Sequence, residues 1–175
     1  MLSLVTFVPL LGAVFIALFL HDVKIIRISA ISFALVSFAI SILIFGMYDP
    51  SLGGLQFQEK YPGWFPESFG AQFHLGVDGL SVPMVLLTGL LGLCSVLASG
   101  HITTRVKEYF VCLLVLQTAV FGVFVSMDLI LFFIFWELEL VPMYFLISIW
   151  GTGRKEYSAM KFLIFEDRDF LSVLE

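Results

Sequence analysis

Charge is scarce in this chain, and so are cysteine and histidine. Charged residues make up 13% of the 175, about half the ~25% of soluble domains. Nine Lys and Arg cannot make a basic nucleic-acid face. The only cysteines, Cys94 and Cys112, lie inside apolar runs, without CxxC spacing and without a histidine nearby. They read as small apolar-like residues on helices, and no iron–sulfur, haem or zinc site can be built from them. No glycine-rich nucleotide fingerprint is present. His21, His74 and His101 fall at the ends of apolar runs or in loops and read as solvated or interfacial. What is abundant is apolar: 60% of residues are hydrophobic and 20 are Phe. That balance places the chain among all-α polytopic membrane proteins.

The apolar residues come in five runs long enough for membrane helices. Residues 1–20 lack the basic start and small-residue cleavage site of a signal peptide, so they read as a retained first helix. A short polar joint, 21–27, leads to a second run over 28–47. Residues 48–76 then change character: Pro50, Gly53, Gly54, Pro62, Gly63 and Pro66 stand among aromatics and charges. Breakers this dense predict an irregular external loop lying against the membrane surface, with a short strand pair left as an open alternative. Asp78 and Ser81 are candidate caps for a third helix ending near Ser99, with Pro83 tolerated in its first turn. A fourth run covers 109–127 and a fifth 128–151. A partial sixth helix begins near Tyr157, within a basic joint over 151–161.

Joints 21–27, 100–108 and 151–161 share one side if the helices alternate. They hold Lys24, Arg27, Arg105, Lys107, Arg154, Lys155 and Lys161, whereas the opposite loop holds only Lys60. The positive-inside rule then puts those joints in the cytoplasm, with the amino terminus and the 48–76 loop outside.

The fifth run is the unusual one. Glu137 and Glu139 sit near its middle, where an ionisable group costs roughly 2.5–3.5 kcal/mol on insertion scales and marks an ion or proton path. Glu137 lies roughly 13 Å along the helix, near the bilayer centre, and Glu139 points about 200° away from it. The two cannot both line one narrow channel; one is expected to face the helical bundle and the other a neighbouring subunit or a second aqueous path. Pro142 cannot donate to the carbonyl of Leu138, which frees an acceptor beside them and predicts a kink. The competing reading makes the glutamates polar glue between helices. Asp128 reads as a helix cap. Lys161 reads either as a snorkelling lysine or as a relay group. Gln117 and Thr118 read as interhelical hydrogen-bonding groups.

At FHLGVDGLSVP (73–83) and FWELELVPMYFLISIWG (135–151) the chain resembles a known family. That family is the antiporter-like membrane subunits of respiratory complex I, of the chain M or chain 4 type. EKYPGWFPESFG (59–70) and AMKFLIF (159–165) also match. The resemblance implies an antiporter-like helical fold and a proton-translocating carboxylate at Glu137. It implies a lysine at Lys161 that could join the relay, and leaves the role of Glu139 open. It further implies no redox cofactor in this chain, since NADH, FMN, the iron–sulfur clusters and quinone belong to partner subunits. The implied partners are the other membrane subunits of complex I, the lipid bilayer and protons, with no nucleic acid. The implied location is a bacterial inner membrane.

Family members are much longer. After Phe165 the sequence reads EDRDFLSVLE, with four charges in succession, and such a run cannot extend a spanning helix. The expectation is therefore a truncated antiporter-like chain in three parts. Residues 1–127 carry four helices and the external loop, 128–165 begin the proton-translocating module, and 166–175 form an aberrant charged tail. Two alternatives stay open: a subunit of a multisubunit cation/proton antiporter or membrane-bound hydrogenase, and an inactive membrane scaffold.

Overall fold

A computed structural model describes residues 1–51, 53–61 and 72–174, the last eight by backbone alone. Six helices and one strand pair are described: α1 (Leu2–Phe19), α2 (Val23–Met47), β1 (Gln56–Tyr61), β2 (Phe73–Val77), α3 (Ser81–Ala98), α4 (Val106–Val125), α5 (Leu129–Trp150) and α6 (Lys155–Leu174), with a 3-10 turn at Ser99–His101. The first five helices are long and apolar enough to cross a bilayer. The protein is an all-α polytopic membrane protein.

α4 is the hub: α1, α2, α3 and α5 all pack on it, α2 also packs on α1 and α3, and α6 packs on α5. The helices are apolar all round, so side-chain size separates inside from outside. The buried stripe of α2 is Ile26, Ala30, Ala34, Ser37, Ser41 and Ile44, the small-residue pattern of helices that approach closely in lipid. Leu11, Leu18, Phe19, Leu35 and Leu43 stay exposed. At Gly12 an added Cβ would lie 2.5 Å from the Phe33 ring, which sets how near α1 comes to α2. Buried hydroxyls bond within their own helices: Ser37 to the Phe33 carbonyl at 2.9 Å and Thr88 to that of Met84 at 2.8 Å.

The external segment contains antiparallel strands, so the irregular-loop reading of 48–76 is corrected in part. β1 pairs with β2 through Glu59↔Leu75 and Tyr61↔Phe73, with a bulge between Gln56 and Glu59. Phe57 takes a left-handed backbone there, φ 53°, which absorbs the extra residue. The glycines and prolines that suggested disorder of pattern flank the strands, and Trp64, Phe65 and Phe69 lie outside the described residues. The hairpin closes one end of the bundle. Leu75, Val77, Val82, Phe121, Val125, Leu131 and Phe135 form a buried cluster with Leu2, Val5 and Ile44.

Two further expectations change. The second helix starts at Val23, not 28, because Asp22 caps it by accepting from the Lys24 amide at 2.8 Å. The basic joint after α5 shrinks to 151–154, so Lys155 and Lys161 stand on α6. That helix runs unbroken through 166–169; Glu, Asp and Arg are tolerated in helices, and their cost arises only on entering lipid.

Candidate functional site

Among the described residues, Asp128, Asp78 and Glu59 near the hairpin all accept from backbone amides. Asp128, the N-cap of α5, accepts from the amides of Ile130 at 2.9 Å and Leu131 at 3.3 Å through one oxygen. Its other oxygen accepts from the Gln72 amide at 3.0 Å. The capping expectation holds, and the same side chain also ties the hairpin to α5. Beside it the Met127 amide donates to the His74 carbonyl at 2.9 Å. Burial pushes the Asp128 carboxyl up, but the three amides and the charge of His74 outweigh it and hold it below the usual carboxylate range. Asp78 accepts from the amides of Ser81 at 2.7 Å and Leu80 at 3.1 Å; these bonds hold it low as well. Ser81 makes no cap bond and is instead the first residue of α3.

Glu59 is a role that sequence reading missed. From β1 its carboxylate accepts from the Leu2 and Ser3 amides, each at 3.0 Å, and from the Ser3 hydroxyl and the Met1 amino group. Burial raises its pKa, yet the bonds from the amino group and Ser3 hold it below its ordinary value. It caps α1 from 56 residues along the chain. No local pattern announces such a cap, because strand and helix meet only in the fold.

α5 presents the opposite case. Its buried residues are Leu131, Phe135, Leu140 and Pro142. Phe135 fits against Gly122 of α4 so closely that an added Cβ there would lie 2.1 Å from the ring. This contact fixes the rotation of α5. Glu137 follows Phe135 by two residues, about 200°, and so points away from α4; Glu139 follows by four, about 40°, and leans toward it. Accordingly Glu137 is exposed on the bundle surface and Glu139 is half-buried. Neither has a hydrogen-bond or ionic partner among the described residues. Glu166 on α6 comes near enough for its charge to act on Glu139. The helix stays continuous across Pro142.

Lys161 is exposed and lies 5.5 Å from the centroid of the Phe165 ring on its own helix; it forms no ion pair with Glu137 or Glu139 among the described residues. The interhelical role expected for Thr118 and Gln117 is corrected. Thr118 donates to the Leu114 carbonyl of its own helix at 3.1 Å. Gln117 is 4% exposed, and its amide lies over Gly92 without a hydrogen-bond partner. Glycine lets α3 approach so closely that the amide meets backbone and carbon rather than a polar group. His74 approaches Gln58 at 3.3 Å and His101 the Ala98 carbonyl at 3.0 Å. Among the described residues no group of His, Cys, Asp and Glu could hold a metal ion.

A family-wide sequence model described as NADH:quinone oxidoreductase/Mrp antiporter, transmembrane, matches residues 126–168, which span α5, its cap and the first turns of α6. NAD(P)H-quinone oxidoreductase chain 4 2 of Thermosynechococcus vestitus is 40% identical over 94% of this chain and 31% of its own length. The chain belongs to this family of antiporter-like membrane subunits. NADH-quinone oxidoreductase subunit M of Rhodobacter capsulatus is 36% identical, over 94% of this chain and 32% of that one. A chain of respiratory complex I from Thermus thermophilus shares the fold, with a TM-score of 0.79 at 23% identity over 94% of this chain and 32% of that chain. The chain therefore spans about a third of the length of the curated relatives it matches.

Proposed function

We propose that the chain acts within a proton-translocating membrane subunit of an NADH-quinone oxidoreductase, in which electron transfer from NADH to quinone drives protons across the membrane. The observation that carries this reading is the pair Glu137 and Glu139, half-way along α5 and close to Pro142, without a partner among the described residues. Glu137 stands about 12 Å from the start of a helix about 33 Å long, at 1.5 Å per residue. An acid facing lipid at that depth costs roughly 2.5–3.5 kcal/mol. In the assembled protein that face is therefore covered by polar groups or water. Glu137 takes a proton from one side and releases it to the other, and Glu139 assists from the bundle side. Lys161, on α6, which packs on α5, is a further relay group.

Residues 1–127 hold α5 in place, 128–165 begin the translocating module, and 166–175 remain outside the bilayer. The NADH, FMN, iron–sulfur and quinone chemistry belongs to partner subunits. The one-sided Lys and Arg distribution supports a bacterial inner membrane with the amino terminus outside. A second reading, a cation/proton antiporter subunit, is favoured by the antiporter half of the matched family's description; the curated relatives favour the oxidoreductase.

The test is Glu137→Gln in the assembled oxidoreductase, which keeps shape and hydrogen bonding but cannot titrate. Proton pumping in reconstituted vesicles falls to a small residue and coupled quinone reduction slows, while native gels show normal assembly. Glu139→Gln has a smaller effect. Full pumping by an assembled Glu137→Gln variant would falsify the assignment. Sodium-driven transport lost without any loss of quinone-coupled pumping would favour the antiporter reading.

A further inference from the structure

We propose that the groove between α1, α4 and α5, rimmed by Arg105 and Lys107, binds one anionic phospholipid. The groove has a volume of about 580 Å³. Its rim is formed by the first turn of α4 and the last residue of α5, Trp150. Below the rim the walls are Val111, Cys112, Phe145 and Ile149. The deepest of the α4 residues lies about 7 Å below Lys107, at 1.5 Å per residue. The site is thus cationic at the level of the headgroups and apolar at the level of the first acyl carbons.

The cations are available. Lys107 has no hydrogen-bond or ionic partner among the described residues. Arg105 pairs with Glu108 only at 3.4 Å, and both side chains are more than half exposed, so the pair is weak. The rim keeps a net charge of +1 and five guanidinium donors suited to phosphate oxygens. Trp150 is fixed beside them. Its Nε1 donates to the Thr104 carbonyl at 2.8 Å, and its ring meets that of Tyr109 edge-on with centroids 5.1 Å apart. A tryptophan held at this level sits in the zone such rings prefer.

The geometry also selects a lipid over a partner helix. Only the last turns of α1 and α5 and the first two turns of α4 line the groove. It therefore reaches through part of one leaflet, too short a bed for a helix that crosses both. The start of α6 borders a different hollow, with Tyr109, Leu146 and Gly151, and contributes nothing to this one. The groove between α3 and α4 makes the contrast. It is smaller, about 300 Å³, and no cation lines it, so nothing there selects a headgroup by charge. Basic residues near a membrane surface attract anionic lipid by roughly fivefold each.

The test uses the full chain in a neutral detergent with equal amounts of phosphatidylglycerol and phosphatidylcholine, read by native mass spectrometry. One phosphatidylglycerol is retained, about tenfold over phosphatidylcholine. Arg105→Gln with Lys107→Gln brings the ratio near parity, and Lys107→Arg preserves it. Lys24→Gln and Arg154→Gln, at the same membrane surface but off the groove, leave the ratio unchanged. Circular dichroism confirms that each variant folds. Equal retention of both lipids by the wild-type chain, retention of neither, or equal loss of preference in Lys24→Gln and Arg154→Gln would overturn the proposal.

Discussion

At the hairpin end of the bundle, acids are surrounded by donors. Half-way down α5 they meet none among the described residues. Asp128 accepts from three backbone amides, and Glu59 closes the first turn of α1. Glu137 and Glu139 stand on a helix held by the same α4 yet meet no donor among the described residues. The residue type is one and the same chemistry; the surroundings divide it. A carboxylate fixed by amides is held ionised and adds to the fold. A carboxylate left bare at mid-span adds nothing to the fold, and proton transfer is the role proposed for it.

This contrast can be broken most strongly at the contact that rotates α5. Gly122→Leu drives a side chain into Phe135 and is expected to cost about 3 kcal/mol, read as a large fall in thermal stability of the purified chain in detergent. A midpoint equal to wild type would mean that Phe135 does not set the rotation of α5. Asp128→Ala comes next. It removes a cap and frees the exposed Gln72 amide to water, for a loss of about 1 kcal/mol, together with faster hydrogen exchange at Met127. Unchanged exchange there would separate the hairpin from α5.

Acid should erode the hairpin end first. Asp128 and Glu59 are held below their unfolded values, near 3.9 and 4.3. Their stabilisation is complete above those values and is lost as pH falls through the lower folded ones. The wild-type chain therefore loses stability from about pH 5 downward, and an Asp128→Asn, Glu59→Gln chain shows a flatter profile. Parallel profiles would contradict the role given to both. The smallest expected effect on the fold is at the bare site: Glu137→Gln should shift stability by no more than about 0.5 kcal/mol.

Much of this was legible from residues alone. Runs of about 20 apolar residues gave five spans because backbone in lipid has no alternative to the helix. Asp128 was readable as a cap, since cap and first turn are adjacent. The long, unusual FWELELVPMY segment carried both the family and the candidate acid. Sequence could not place Glu59 on α1, because that bond joins segments 56 residues apart. Nor could it rotate α5. Two glutamates 200° apart leave open which one faces inward, and the answer lies in Phe135 seating on Gly122 of another helix. Gln117 misled for a related reason: a polar side chain in a membrane helix suggests a bond across helices, while Gly92 brings carbon and backbone to it instead.

The central claim is that position along α5 separates a structural acid from a working one. It is tested most directly by placing Asp128→Asn and Glu137→Gln side by side in the assembled oxidoreductase, with thermal midpoint and proton pumping measured on the same preparations. Asp128→Asn should lower the midpoint and leave pumping per assembled complex close to wild type. Glu137→Gln should leave the midpoint and remove most of the pumping. Both variants losing stability and pumping in the same proportion would contradict the account.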